Sequence, residues 1–412
     1  MKITIKKATL NQILFIICVV VPFFNIYELS FAVWLCAIVL TIKNNYSIEF
    51  VKYISIFFII FLLAIFVGFF FDYKLYFVIR DITYLLKPIS GLLLGYQLFH
   101  KSIKNPFQFL VYAGVSIAIY HLILVGYGIV FAGARNVREI RDHGGFFNDF
   151  EVYTLVILLF KNQLNLGFSK KKNTIFLIIL AISSFFYLAR TNFIQFIILV
   201  IALKGIFVLN RRAVKVIGTT FLFVGLGYTA VYYSNPVRNG KGMDEFLYKI
   251  KMAPSEAFST KINRNDWKQF NDNYRSYENI RTVQQLSYNE SLLFGEGIGS
   301  QVDLKQKVYL GDMELRYISI LHNGYMTILL KTGLLGVGIY LFSIFFFFRT
   351  NNETNEALIN IHYLFIGTGV FLIISNWVFM GFYNLIDTKT LLVGFLFAYK
   401  NELKKQLKKQ LN

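Results

Sequence analysis

Residues 174–209 read TIFLIILAISSFFYLARTNFIQFIILVIALKGIFVL, an apolar run of 36 residues interrupted near its middle by the polar stretch ARTN. A single helix of that length would be about 54 Å long, whereas the hydrocarbon core of a membrane is about 30 Å thick. The run therefore predicts two membrane helices joined by a tight turn at Ala189–Asn192. Residues 8–43 form a second apolar run of the same length. They predict another hairpin, which turns at Asn25–Ser30.

Apolar residues dominate the rest of the chain as well. Of its 412 residues, 56% are hydrophobic and 16% are charged, values that soluble domains rarely reach. The apolar runs do not alternate with polar residues, which excludes the strands of a membrane barrel. The sequence predicts an all-α integral membrane protein with about twelve transmembrane helices, at roughly 8–27, 28–43, 50–71, 81–99, 107–132, 150–168, 174–190, 191–209, 214–233, 323–348, 358–380 and 384–399.

One long polar segment separates the ninth and tenth predicted helices. Its aromatic residues recur at helical spacing, which predicts a small helical extracytoplasmic domain; they are Trp267, Phe270, Tyr274 and Tyr277. The chain is thus divided into transmembrane helices one to nine, an extracytoplasmic loop domain, and helices ten to twelve with a basic tail, at residues 1–233, 234–321 and 322–412.

The net charge of +19 lies mostly in short loops and tails. The polar segment 234–321 contributes little to it, with 12 Lys and Arg against 11 Asp and Glu. Nucleic acid is therefore not expected as a partner. Cytoplasmic loops of membrane proteins are rich in basic residues, and this rule places both termini in the cytoplasm. The C-terminal tail KNELKKQLKKQLN predicts an anchor at the anionic headgroups of the lipid bilayer.

The outer loops carry arginines rather than lysines. A guanidinium group binds phosphate or carboxylate through two parallel hydrogen bonds, so this preference indicates anion recognition. Ion pairs with neighbouring acids are the alternative for most of these arginines. Arg190 has no acid nearby in sequence, and its alternative is an extended side chain that reaches the lipid headgroups. The arginines considered are Arg80, Arg141, Arg190, Arg275, Arg281 and Arg316.

His322 lies on the outer face, at the start of the tenth predicted helix and beside Asn323. The positive end of a helix dipole disfavours added positive charge, so an imidazole there stays neutral and can act as a base. Capping of its own helix is the alternative role for His322. Gly333 and Gly336 in the same helix predict close approach of a neighbouring helix. The spacing of His, Cys, Asp and Glu predicts neither a metal site nor a cofactor.

The order of these features resembles the O-antigen ligase and O-antigen polymerase superfamily of bacterial envelope enzymes. The matching features are R-x-x-G-x-F at Arg141, a turn arginine at Arg190, Arg281 followed by G-x-G-x-G, and His322–Asn323 before a glycine-containing helix. The resemblance implies a glycosyltransferase fold of the membrane class C type and a metal-independent reaction. Its large outer loop is expected between helices nine and ten.

The resemblance also implies roles for individual residues. It makes His322 the catalytic base, and it assigns binding of the donor pyrophosphate to Arg190 and Arg281. The chain has Gln285 where the family has an aromatic residue, so Arg275 remains the nearest alternative to Arg281. Further substrate contacts are expected from Arg141, Arg80, Arg316 and Asn323.

The activity implied by the resemblance is that of an O-antigen, capsular or exopolysaccharide polymerase in the bacterial inner membrane. Such an enzyme joins polyprenyl-pyrophosphate-linked oligosaccharide repeats on the outer face, with inversion at the anomeric carbon and without a cofactor. Donor and acceptor are both lipid-linked glycans, and a chain-length regulator and a flippase are conceivable partners. The alternatives are an O-antigen ligase, which transfers the glycan to lipid A–core, and a lipid-glycan flippase.

Overall fold

The computed structural model describes residues 7–24, 26–145, 148–207, 211–237, 273–310, 313–349, 353–386 and 388–411, with a few positions between 244 and 270. The described chain is mostly helical. Five of its helices are long and apolar enough to cross a membrane: Lys7–Phe24, Ile48–Gly68, Pro106–Val130, Gly324–Phe348 and Glu356–Phe379. These helices confirm the helical membrane class, and the twelve-span layout stays a prediction. Trp267 and Phe146 lie outside the described residues.

The described elements follow one another from the N-terminus to the C-terminus. The α-helices are α1 Lys7–Val20, α2 Tyr27–Leu40, α3 Ile48–Gly68, α4 Leu75–Leu98, α5 Pro106–Val130, α6 Val137–Gly144, α7 Asp149–Leu159, α8 Lys170–Phe186, α9 Arg190–Leu203, α10 Arg211–Tyr233, α11 Tyr274–Tyr288, α12 Gly324–Phe345, α13 Glu356–Phe379 and α14 Lys389–Leu411. The strands β1 Val302–Leu310 and β2 Met313–Ile318 lie between α11 and α12.

Both long apolar runs are broken near the predicted turns. A short 3₁₀ helix ends at Phe24, and α2 begins at Tyr27. In the second run, α8 ends at Phe186 and α9 begins at Arg190, so Leu188 and Ala189 form the turn. Leu188 adopts a left-handed backbone conformation, with a φ of 48°. The limit that membrane thickness sets on helix length therefore located both breaks to within a few residues, although Tyr27–Ser30 and Arg190–Asn192 of the predicted turns are already helical.

Two of the predicted helices need boundaries corrected by several residues. Helix α7 ends at Leu159, well before the predicted residue 168. Helix α14 begins at Lys389 and continues through the basic tail to Leu411, although we predicted a helix over 384–399. Lys, Gln, Glu and Leu have high helix propensity, so nothing in the tail sequence ends the helix at the membrane surface.

The segment predicted to form a small helical domain also contains an antiparallel β-hairpin. Strand β1 pairs with β2, and Val302 lies opposite Ile318. Val302, Leu304 and Val308 are completely buried, whereas their polar neighbours point outward. This alternation is the pattern of a strand with one buried face. The description of this segment as a helical domain is therefore corrected for the strands Val302–Leu310 and Met313–Ile318.

Helix α12 is interrupted at Gly333, whose φ of 63° and ψ of −164° are not helical. The loop after α11 enters the interruption, where the Glu296 N–H donates to the Leu330 carbonyl at 2.8 Å and the Leu334 N–H donates to the Leu292 carbonyl at 3.0 Å. These bonds satisfy backbone groups that the broken helix exposes. Gly333 therefore admits loop backbone, and the expected neighbouring helix is not what packs there.

A buried ion pair fixes the same loop. Lys331 Nζ lies 2.6 Å from Asp81 Oδ2, and both side chains are fully buried. Lys331 also donates to the Ser300 carbonyl at 2.6 Å, and the Gly299 N–H donates to Asp81 at 2.7 Å. The pair thus connects α4, α12 and the glycine-rich loop GEGIG, residues 295–299, at one point.

Candidate functional site

A cavity of about 660 Å³ lies between the 3₁₀ helix that ends at Phe24, α2, α6, α11, the segment before α12 and the C-terminal end of α13. Most of its wall is apolar, and its basic lining groups come from Arg141, Arg275 and His322. A lipid chain fits an apolar wall, and an anion fits the guanidinium groups. The lining residues are Pro22, Ile26, Tyr27, Ser30, Arg141, Arg275, His322, Val378, Phe379, Met380, Asn384, Leu385 and Ile386.

His322 is held by a buried acid from another helix. Its Nδ1 lies 3.0 Å from Oε1 and 3.1 Å from Oε2 of Glu278, and its backbone N–H donates to Oε2 at 3.1 Å. The His322 side chain is 40% exposed, and that of Glu278 is 1% exposed. An ionised carboxylate can only accept hydrogen bonds, so Nδ1 carries the proton in the neutral ring. Nε2 then has a lone pair with which it can accept a proton.

Tyr274 forms the other side of this pair. Its ring meets the His322 ring edge-on, with centroids 5.8 Å apart. Burial raises the pKa of Tyr274 well above its ordinary value, and the charge of Glu278 one helical turn away raises it further. Tyr274 therefore stays neutral, and its hydroxyl group adds no negative charge to the site. The edge-on contact with Tyr274 and the hydrogen bond to Glu278 together fix the plane of the imidazole.

Asn323 caps helix α12. Its Oδ1 accepts hydrogen bonds from the N–H groups of Tyr325 and Met326 at 3.0 and 3.3 Å. The side chain is completely buried. Because Asn323 and not His322 makes the cap, the alternative role that the sequence left open for His322 is taken by its neighbour. Asn323 positions His322 by fixing the start of the helix.

Two predicted anion-binding arginines line the cavity. The Arg275 guanidinium lies over the ring of Phe379 at 5.9 Å, and Phe379 forms part of the cavity wall. Burial lowers the pKa of Arg141, and the positive charge of Arg190 lowers it further. Arg190 is therefore near Arg141 although it is not among the lining residues. An anion bound near both groups would relieve their repulsion.

Arg281 contacts the β-hairpin, and Arg316 belongs to its second strand. Arg281 Nε donates to the Asp303 carbonyl at 3.3 Å, and its Nη1 donates to Gln284 at 2.6 Å. Arg316 Nε donates to Asp303 Oδ1 at 3.1 Å. The hydrogen bond from Arg316 lowers the pKa of Asp303 to about 2. Neither arginine lines the cavity, and of the two loop candidates Arg275 is the one that does.

Arg80 lies apart from the cavity, near the start of α4. Its guanidinium lies 5.0 Å from the ring centroid of Phe77 and 5.8 Å from that of Tyr76. Its Nε and Nη2 are buried and have no hydrogen-bond partner in the described part of the chain. Within the described ranges, no three His, Cys, Asp or Glu side chains gather as metal ligands would.

Sequence reasoning missed Glu278. It predicted a base at His322 and anion-binding arginines around it, but it considered this acid only as an ion-pair partner of Arg275. A possible signal was that Glu278 lies one helical turn after Tyr274 and Arg275, on a helix rich in aromatic residues. Comparison with known proteins adds no residue to the site, because no protein-family model and no curated protein matches the chain.

Proposed function

We propose that this protein is a polysaccharide polymerase of the bacterial inner membrane, which joins polyprenyl-pyrophosphate-linked oligosaccharide repeats on the outer face. The observation that carries the proposal is the His322–Glu278 pair beside an apolar cavity that also contains Arg141 and Arg275. Transfer of a glycan from a lipid pyrophosphate requires a base, guanidinium groups that bind the pyrophosphate, and an apolar wall that accommodates the lipid. The proposal includes twelve membrane spans, cytoplasmic termini and an outer domain over residues 234–321.

The reaction follows from the chemistry of these groups. The hydroxyl of the acceptor sugar gives its proton to Nε2 of His322 while its oxygen bonds to the anomeric carbon of the donor. The bond from that carbon to the pyrophosphate oxygen breaks, and its electron pair leaves with the polyprenyl pyrophosphate. Arg141, Arg190 and Arg275 stabilise the developing negative charge. Glu278 stabilises the imidazolium that forms. Attack opposite the leaving group inverts the anomeric carbon.

Reconstitution of the purified protein with a lipid-linked repeat tests the proposal. In liposomes without added metal ions, wild type should lengthen the glycan and His322→Ala should produce almost none. Removal of a general base costs about 10²–10⁴-fold in rate. His362→Ala is the matched control because His362 lies at the opposite end of the helices, near Lys400 and Glu49. Undiminished synthesis by His322→Ala would refute the proposed mechanism.

A ligase would use the same donor chemistry with lipid A–core as acceptor. We favour the polymerase because the chain matches the motifs shared by ligases and polymerases only loosely, and polymerases are the more sequence-diverse group. Supplying both acceptors in one reconstitution separates the two. A product that grows on the polyprenyl carrier supports the polymerase, and a glycan attached to lipid A–core supports the ligase.

A lipid-glycan flippase gains support from two observations. Helix α12 is interrupted at Gly333, and the Asp81–Lys331 and Asp149–Lys389 pairs are buried among the helices. Broken helices and buried charges are common in transporters. The loop backbone fills this interruption, however, and each charge has a fixed partner. Movement of a labelled lipid-linked repeat across liposomes without glycan elongation would favour the flippase.

A further inference from the structure

A buried polar cluster lies next to the segments that carry Arg141 and Arg190, and no step of the proposed reaction uses it. It consists of His121 in α5, Glu151 in α7, Ser183 in α8 and Tyr187 just after α8. All four side chains are completely buried. Burial of so many polar groups is costly unless each one is hydrogen-bonded, so their arrangement requires an explanation.

Hydrogen bonds connect the four side chains around the carboxyl group of Glu151. Tyr187 Oη donates to Glu151 Oε1 at 2.6 Å, and Ser183 Oγ donates to Glu151 Oε2 at 2.5 Å. His121 Nδ1 lies 2.8 Å from Ser183 Oγ, within hydrogen-bond distance. The cluster therefore links α5, α7 and α8 and defines the orientation of both rings.

The rings of His121 and Tyr187 are stacked. Their centroids are 3.7 Å apart, and their planes differ by 4°. Each ring also determines the position of an arginine segment. Tyr187 is followed by the left-handed Leu188, by the buried Ala189 and then by Arg190 at the start of α9. Movement of the Tyr187 ring would therefore move the turn that carries Arg190.

His121 also contacts helix α6. A Cβ atom on Gly144 would lie 2.9 Å from His121 Nε2 and 2.7 Å from a methyl group of Val125. Only a glycine lets α6 approach α5 this closely. Gly144 is three residues after Arg141 and therefore on the same turn of α6. His121 thus contacts both the Arg141 helix and the residue that controls the Arg190 turn.

The turn also reaches the cavity wall. Tyr187 and Ala189 pack against Phe23 and Phe379, and Phe379 lines the cavity. The positive charge of Arg190 acts on Arg141, which lines the same cavity. The carboxylate of Asp142 acts on Arg141 in the opposite sense, and a pyrophosphate is a further anion that two guanidinium groups can bind. Their relative position then decides how well that anion binds.

We propose that His121 and Tyr187 are positioning residues that hold Arg141 and Arg190 in one geometry for a lipid pyrophosphate. The inference rests on the proposed function, because it assigns the cluster to the binding of the donor. The stacked rings fix the relative position of the two arginine segments, and the hydrogen bonds around Glu151 fix the orientation of the stacked rings. The expected consequence is that disruption of the stack weakens pyrophosphate binding through the arginines and not through loss of the fold.

Direct binding of undecaprenyl pyrophosphate to the detergent-solubilised protein tests the inference, with undecaprenyl monophosphate for comparison. Tyr187→Leu removes the stacked ring and should weaken binding of the pyrophosphate at least about tenfold, since small displacements of binding groups are costly. Tyr187→Phe keeps the ring and should bind nearly as well as wild type, with a lower melting temperature from the lost hydrogen bond to Glu151.

A double-mutant cycle distinguishes positioning from a general loss of structure. If Tyr187 acts through Arg190, Tyr187→Leu should cause no further loss of affinity in an Arg190→Ala background. Gly144→Ala, which pushes α6 away from His121, should weaken binding independently through Arg141. Tyr53→Leu is the matched control: Tyr53 is equally buried, against Phe346 and Phe397, so its loss should lower the melting temperature without weakening binding.

Each outcome bears on one proposal. Wild-type affinity in both Tyr187→Leu and Gly144→Ala would overturn the positioning role, as would an equal loss from Tyr187→Leu with and without Arg190. A folded wild-type protein that binds the pyrophosphate no better than the monophosphate would instead contradict the proposed function, and the positioning role with it.

Discussion

Glu278 presents both carboxylate oxygens to Nδ1 of His322, at 3.0 and 3.1 Å, although 44 residues separate the two in sequence. A carboxylate accepts hydrogen bonds and donates none, so this contact holds the proton of the neutral imidazole on Nδ1. The tautomer and the orientation of the base are thereby fixed. Its function then depends on the acid as much as on the imidazole.

Glu278→Gln should therefore reduce turnover with little change in donor affinity. The amide keeps the shape of the side chain but can present its NH₂ group to Nδ1, which favours the wrong tautomer. We expect a loss of about 10²-fold or more in kcat, measured as the initial rate of glycan elongation. Glu314→Gln, at an exposed acid of β2, is the control. A Glu278→Gln enzyme with a normal rate would show that His322 needs no acid partner.

Arg275 and Arg281 give different predictions because only Arg275 lines the cavity. Lysine keeps the charge and loses the two-pronged hydrogen bond, so Arg275→Lys should raise the KM for the lipid-linked donor at least about tenfold. Arg281→Lys should leave KM nearly unchanged and lower only the stability of the loop domain, since its partners are Asp303 and Gln284. The opposite result would support the assignment that the sequence resemblance makes.

The features that follow from local rules were predictable from sequence. Membrane thickness limits helix length and located the turns after Phe24 and Phe186, and the polar start of α12 identified His322. The Glu278–His322 contact was not predictable because it joins two elements that are distant in sequence. The interruption at Gly333 escaped prediction for a similar reason, since the loop that fills it comes from outside the helix. The helical spacing of the aromatic residues up to Tyr277 favoured a helical domain, so the alternation of apolar and polar residues in β1 was not recognised.

The orientation in the membrane can be tested by cysteine labelling. In a Cys18→Ser, Cys36→Ser background, Lys251→Cys should react with an impermeant maleimide in intact spheroplasts, and Lys171→Cys should not. The positive-inside rule places Lys171 in the cytoplasm with its lysine-rich neighbours. Permeabilised cells provide the control, because both positions should then react. Labelling of Lys171→Cys in intact spheroplasts would invert the proposed topology.

The Asp81–Lys331 pair should contribute to folding rather than to chemistry, since it lies outside the cavity and both charges are fully buried, 2.6 Å apart. Asp81→Asn leaves the ammonium group without its counter-charge, and Lys331→Met leaves the carboxylate. Removal of one member of a buried pair costs about 3–5 kcal/mol, whereas removal of both costs much less. We therefore expect each single variant to melt at a lower temperature than the double variant.

Thermal unfolding of the purified protein in detergent measures this difference. The double variant keeps an oxygen at position 81 that can accept the hydrogen bond from Gly299, so the glycine-rich loop should remain in the interruption of α12. Removal of the exposed Lys307–Glu314 pair serves as the control, and its effect should stay below about 1 kcal/mol. If Asp81→Asn alone melted like wild type, the loop would be held by its backbone contacts with α12 and not by the ion pair.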